Sequence, residues 1–289
     1  MSSADPYLFY TVMDYPLPPR RKCFFYQHDL LLNDDDKDSE QASLTEHDRI
    51  PASYPSLYQN ELFEQMRKKL IKYRRLRRSI PFLEAVYVWN SMSFNALDQN
   101  SDIDVCIVAN TWRLWHVRMW SVLLTSLFSI KETAHRRHGK LSLSFTIDKD
   151  HGDLHRFKLL PHDPYLIYRI AHLVPIYLRH DDHAFNIFKH NAWILHYLPH
   201  HPLRQVIDLW VPITRQRNWW RCSIERLMNW KLWDLTEWLI HILWMPVLYF
   251  KHSRNATKEH NTVIGPGVLK FFHDKRAYFA LKWKVARDG

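Results

Sequence analysis

Val86-Tyr-Val-Trp-Asn-Ser-Met-Ser-Phe-Asn-Ala-Leu-Asp-Gln-Asn-Ser-Asp-Ile-Asp-Val-Cys-Ile-Val108 is the stretch on which the reading of this chain turns. An apolar run leads into a polar turn at Asn90 and Ser91. A second apolar run, Val105 to Val108, follows Asp102-Ile-Asp104. On a strand, residues two apart point to the same face and sit ~7 Å apart along the chain. Asp102 and Asp104 therefore aim their carboxylates at one patch of space. Two bare anions so placed repel, and one tends to take up a proton. A divalent cation removes that penalty, and Mg²⁺ is usually held by one or two carboxylates together with substrate phosphates. The pattern points to metal-assisted phosphoryl or nucleotidyl transfer.

With Ser91 in a small polar turn, ten residues between it and Asp102, and Ser101 just before the acidic pair, the chain resembles the polymerase-β-like nucleotidyltransferase superfamily. That family carries a Gly-Ser turn followed by Asp-x-Asp on the next strand. The resemblance implies an α/β (α+β) nucleotidyltransferase core and an NTP as substrate. It implies Mg²⁺ or Mn²⁺ at Asp102 and Asp104, and nucleotide contacts from Asn90, Ser91 and Ser101. Asn90 stands where the family has glycine. Glycine there permits positive φ and close approach of backbone amides to a triphosphate. Asparagine is the next most tolerant of left-handed geometry, so the turn survives while its side chain crowds the phosphates.

Further along, Leu141, Leu143, Phe145 and Ile147 alternate with Ser142, Ser144, Thr146 and Asp148, which predicts a half-buried strand. The family places its third catalytic carboxylate on the strand after the connecting helix, as general base or second-metal ligand. Asp148 is the only acid on this strand and is the candidate. Its place at the strand's end equally suits a turn cap.

Beyond the core, the chain resembles one bacterial group of nucleotidyltransferase-domain proteins. Tyr15-Pro-Leu17 matches the start of that group's winged-helix-like segment. Phe94-Asn-Ala96, Arg113-Leu-Trp115, Ala171-His172, Pro175-Ile-Tyr177, Asn191-Ala-Trp193, Leu198-Pro199 and Phe272-His273 fall where the group carries similar residues. The expected organisation is a degenerate winged-helix-like segment over 1–32 and an acidic flexible linker over 33–56. A nucleotidyltransferase core over 57–160 and a helical C-terminal domain over 161–289 complete it.

Composition bounds the partners. The net charge of +10 favours anionic partners, whether nucleotides, nucleic acid or a membrane surface. A helix expected over 57–78 stacks Met66, Leu70, Tyr73 and Arg77, and its other side is basic from Arg67 to Arg78. That side reads as a solvated face or as a surface for a nucleic-acid backbone. The acceptor of a transferred nucleotide is open: protein, RNA end or small molecule. Cys23, Cys106 and Cys222 form no Cys-x-x-Cys pair, so neither a disulfide framework nor a zinc site is expected. His180 and His183 with Asp181 and Asp182, or His196 with His200, lack a third convergent ligand in sequence.

The N-terminus lacks a basic start and an apolar core segment, so no secretory signal is expected and the cytoplasm is the expected compartment. Thr111 is the expected cap of a helix running on from Leu114. The Trp-rich segment from Trp219 to Phe250 reads as an amphipathic helix. Lys231, Asp234, Glu237 and His241 form its polar stripe, and Leu232, Leu235, Leu239 and Ile242 its buried face. Its most apolar part spans 16 residues and contains Glu237, His241 and Pro246, short of the ~20 apolar residues of a membrane span. Interfacial membrane binding is the lesser reading.

Overall fold

The computed structural model describes residues 61–94, 97, 101–130, 139–158, 163–179, 185–199, 201, 219–227, 232–253 and 263–271. The segments expected as a winged-helix-like element and a linker, 1–32 and 33–56, lie outside these. So do Cys23, His180, Asp181, Asp182, His183 and His200.

The two apolar runs form β1 (Leu83–Val88) and β2 (Ile103–Ala109), paired antiparallel with Val88 opposite Val105. Both runs are almost continuously apolar because the sheet is covered on both faces, which removes the in-out alternation of a half-exposed strand. Helix α1 (Glu61–Arg78) precedes β1. Helix α2 (Leu114–Leu127) connects β2 to the parallel strand β3 (Leu141–Asp148). A short helix α3 (Pro164–Ala171) then leads into β4 (Val174–Leu178), antiparallel to β1. Helices α4 (Ile187–His190), α5 (Trp219–Leu227) and α6 (Leu232–Ser253) follow. The hairpin β5 (Val263–Gly265) and β6 (Val268–Lys270) pairs with β3. The fold is α+β, with a mixed six-stranded sheet in the order β4-β1-β2-β3-β6-β5.

This order corrects the expected organisation. Residues 161–289, read as an all-helical domain, supply β4 to one edge of the sheet and β5 and β6 to the other. One sheet therefore runs across the expected boundary at residue 160. The proline-broken run Asp163–Tyr177 is a helix and then a strand. Pro175 is compatible with the strand because β4 is an edge strand, where a missing N–H can face outward.

Each face of the sheet carries its own core. Phe63, Met66 and Leu70 of α1 pack with Val86, Val88, Ile103, Val105 and Ile107. On the other face Leu166, Ile170, Ile187 and Phe188 cover Ala85, Tyr87, Cys106 and Val108. The expected α1 stack is present, and Arg77 belongs to it as a buried residue whose guanidinium donates to Leu70 O (3.1 Å). Arg67 is tied to Glu64 at 2.9 Å. Two of the arginines counted on the basic side are thus engaged within the helix.

The strict alternation read for β3 breaks in the middle. Asp104 pairs with Ser142 but Cys106 with Phe145, so β3 carries one extra residue, a β-bulge. Leu141 and Leu143 lie in the first core, whereas Phe145 and Ile147 lie in the second. The buried Arg118 guanidinium of α2 donates to the Leu143 carbonyl, and Phe271 N–H donates to Ser144 O (2.8 Å), so the bulge leaves neither carbonyl orphaned. Burial pushes the Arg118 pKa down to about 10.

Thr111 is not the cap of α2, which begins at Leu114 with no side-chain cap from its own N-terminal residue. Glu237 of α6 does the capping instead, accepting from Trp115 N (2.7 Å) and His116 N (3.1 Å) and contacting the His116 ring. Helix α6 therefore turns its polar stripe inward. Leu235, Leu239 and Ile242, expected to be buried, are exposed.

Candidate functional site

The polar turn and the acidic pair meet at one end of the sheet. Asn90–Met92 forms a single 3-10 turn directly after Trp89, and Trp89 N–H donates to Asp104 O (3.2 Å). The antiparallel register thereby sets the turn beside the start of β2. Positive φ occurs at Phe82, Trp112 and Ser129 among the described non-glycine residues. The turn is right-handed, so the left-handed tolerance of Asn90 is not used.

Asp102 stands one residue before β2, and Asp104 two residues later on the same face by alternation. Both are half-buried, as are Ser91 and Ser101. The Asp104 carboxylate accepts from Ser144 Oγ (3.3 Å). Ser101 O accepts from Gly139 N (2.9 Å), and Ile103 N donates to Lys140 O (2.8 Å). These two bonds hold the acidic segment against the turn before β3.

Gly139 sits at φ +59°, and a Cβ there would lie 2.0 Å from Lys69 Nζ. The ammonium of α1 thus reaches the Ser101–Asp102 end of the sheet. Burial, and then repulsion from Lys140, lower the Lys69 pKa. Two more cations lie on the Asp104 face. Lys270 is buried beside Phe145, and Arg169 is buried with its guanidinium over Trp89 (4.6 Å) and Tyr165 (4.4 Å). Trp89 and Phe145 stack at 4.8 Å. The cavity that Trp89, Phe145, Arg169 and Lys270 help to line has room for about one water.

Asp148 is not brought to this cluster. It pairs with Ala109, five residues along β2 from Asp104, or ~16 Å at the strand rise. Past the bulge it also shares a face with Thr146, opposite the face of Asp104. Its carboxylate accepts from Asp150 N (3.1 Å), His151 N (3.0 Å) and His151 Nδ1 (2.6 Å), capping the following 3-10 turn. The cap alternative describes Asp148.

Among the described residues no group of three or more His, Cys, Asp or Glu could hold a metal ion. Two neighbouring carboxylates fit one hard cation whose remaining ligands are water and substrate phosphates. They do not fit a two-ion clamp, which needs a further bridging acid. Cys106 is fully buried and its thiol pKa is pushed far up by burial, so it serves the core.

Ser144, Lys69, Arg169 and Lys270 join this end of the sheet without a strong signal in the sequence. Lys69 was visible only as one charge of a basic helix. Ser144 looked like one more polar position of an alternating strand, and nothing local marks Arg169 or Lys270. No family model, curated protein or solved structure matches the chain.

Proposed function

We propose that this chain uses a nucleotidyltransferase-type core to bind a metal–NTP complex, and that it acts as a nucleotide-binding or regulatory protein with weak or no transfer. The observation that carries the binding half is the Trp89 N to Asp104 O hydrogen bond, which sets Ser91 and the acidic pair at one sheet end. Asp102 and Asp104 would hold Mg²⁺ or Mn²⁺, whose positive charge would neutralise the triphosphate oxygens. Ser91 offers a hydroxyl and a backbone amide to the phosphates, and Lys69 adds positive charge from the Ser101 side. Ser144 fixes the rotamer of Asp104 by donating to it.

The weak-transfer half rests on Asp148. An acceptor hydroxyl needs a group to take its proton, and such assistance is typically worth ~10²–10⁴ in rate. The carboxylate expected to supply it is spent on a turn cap, on the other sheet face. A full transferase, moving an NMP to a protein, RNA or small-molecule hydroxyl, keeps one supporting observation: the family-like spacing from Ser91 to Asp102 and Asp104.

Calorimetry of NTP binding with Mg²⁺ and with chelator, on the wild type and on Asp104→Asn, tests the first half. Metal-dependent binding lost in the variant is the expected result, and equal affinity of the two proteins would end the proposal. Pyrophosphate release measured alongside decides between the two halves, and release at transferase rates (above ~1 s⁻¹) would reverse the second.

A further inference from the structure

Helix α6 is bound to the body by the side that is usually solvated. Glu237 caps α2, Thr236 Oγ1 meets His116 Nε2 (3.1 Å), and His241 stacks on Trp115 at 4.7 Å. Asp234 pairs with Arg113 at 2.7 Å. Ile240, Trp244 and Leu248 complete the inward arc by packing on the first core. At 100° per residue the opposite arc, from Leu235 to Phe250, contains no charged residue. Trp238, Leu239, Ile242, Leu243 and Val247 on it are 41% to 70% exposed. Monomeric proteins rarely leave so continuous an apolar face bare, and such faces mark protein or membrane contacts.

We infer that this arc docks on an anionic membrane surface. Charge selects that occupant over a second copy of the chain. The molecule carries +10, so two copies repel while an anionic leaflet attracts. Of the two acids of α6, Glu237 is held by the body on the inward side, and Asp234 is paired with Arg113 while 63% exposed. Among the described residues no helix is long and apolar enough to cross a membrane. The inward polar stripe likewise makes α6 a helix that lies along a surface. Docking needs no rearrangement, because the polar side already satisfies the body.

The test is flotation of the full chain with phosphatidylcholine vesicles, with and without phosphatidylserine. The expected result is binding to the phosphatidylserine vesicles, weakened by salt. Leu243→Asp, at the most exposed of these positions, should lower partition by about tenfold or more, the worth of one buried leucine. Its melting temperature should match the wild type. Val247→Asp repeats the measurement at a second exposed position. Absence of flotation with either vesicle overturns the inference. A dimer by light scattering that Leu243→Asp dissolves would assign the face to a second copy. A fall in melting temperature in both variants would assign it to another segment of this chain. Either result overturns the membrane reading.

Discussion

Glu237 lies 121 residues beyond His116, yet its carboxylate accepts from the His116 backbone amide and contacts the same residue's ring. An orphaned helix N-terminus in α2 is thus satisfied from a distant helix rather than by a local Ser, Thr or Asp. Removing that carboxylate leaves two backbone donors and the buried His116 ring without their acceptor. Glu237→Ala should cost ~2–3 kcal/mol, combining the range for a lost cap with that for a charged hydrogen bond. Glu237→Gln, which keeps an acceptor, should cost about half as much. Urea unfolding of the three proteins measures both.

Asp148 gives the opposite kind of variant. Its carboxylate supports the turn at 149–151, so Asp148→Ala should lower stability by ~1 kcal/mol, as loss of a cap does. NTP affinity should be unchanged, because the residue stands ~16 Å along the strands from Asp104. A selective loss of nucleotide binding at unchanged stability would return Asp148 to the site.

Asn90→Gly separates turn geometry from side-chain crowding. The right-handed 3-10 turn makes no use of glycine's freedom, so the substitution should cost ~0.5–1 kcal/mol of stability through added backbone entropy. Under the proposed function metal–NTP affinity should rise, since glycine removes a side chain from the turn next to Ser91. Calorimetry reads the second effect, and weaker binding in the glycine variant would identify Asn90 as a nucleotide contact.

Acid sensitivity should centre on His201. Burial lowers its pKa from the ordinary 6.5, with the Ala171 carbonyl opposing in part. In the window below pH 6.5 and above the lowered native value, the unfolded chain binds a proton there that the folded chain refuses. Stability therefore falls as the pH drops through that window and is fully present above it. His201→Gln, which keeps a donor for Ala171 O, should show a flatter decline between about pH 7 and pH 5 by denaturant titration.

The core strands were legible because their signals are local. Val86 to Val88 and Val105 to Val108 are apolar runs bounded by a polar turn. The stack Met66, Leu70, Tyr73 and Arg77 follows helical spacing whatever surrounds it. The acidic pair was legible as a pair because alternation on a strand is local as well. What escaped was decided by distant partners. The β3 bulge depends on Arg118 and Phe271, which accommodate its carbonyls. Strands β5 and β6 have three residues each, too few to show a period of two. The side α6 turns inward depends on the capping demand of α2, which no pattern within α6 records. An amphipathic helix states that it has two faces; its neighbours decide which is buried.

The way the sheet is closed has a consequence for synthesis. Strands β1, β2 and β3 are all complete by residue 148, but the neighbour of β1 comes at 174–178 and that of β3 only at 263–270. A nascent chain emerging from the ribosome must hold a three-stranded sheet with one edge bare for more than a hundred residues, and exposed edges invite pairing with other chains. Sheet pairings this far apart in sequence also fold slowly. Premature termination anywhere between β4 and β6 would release a product with β3 uncovered, prone to aggregate rather than to work as a smaller version of the protein.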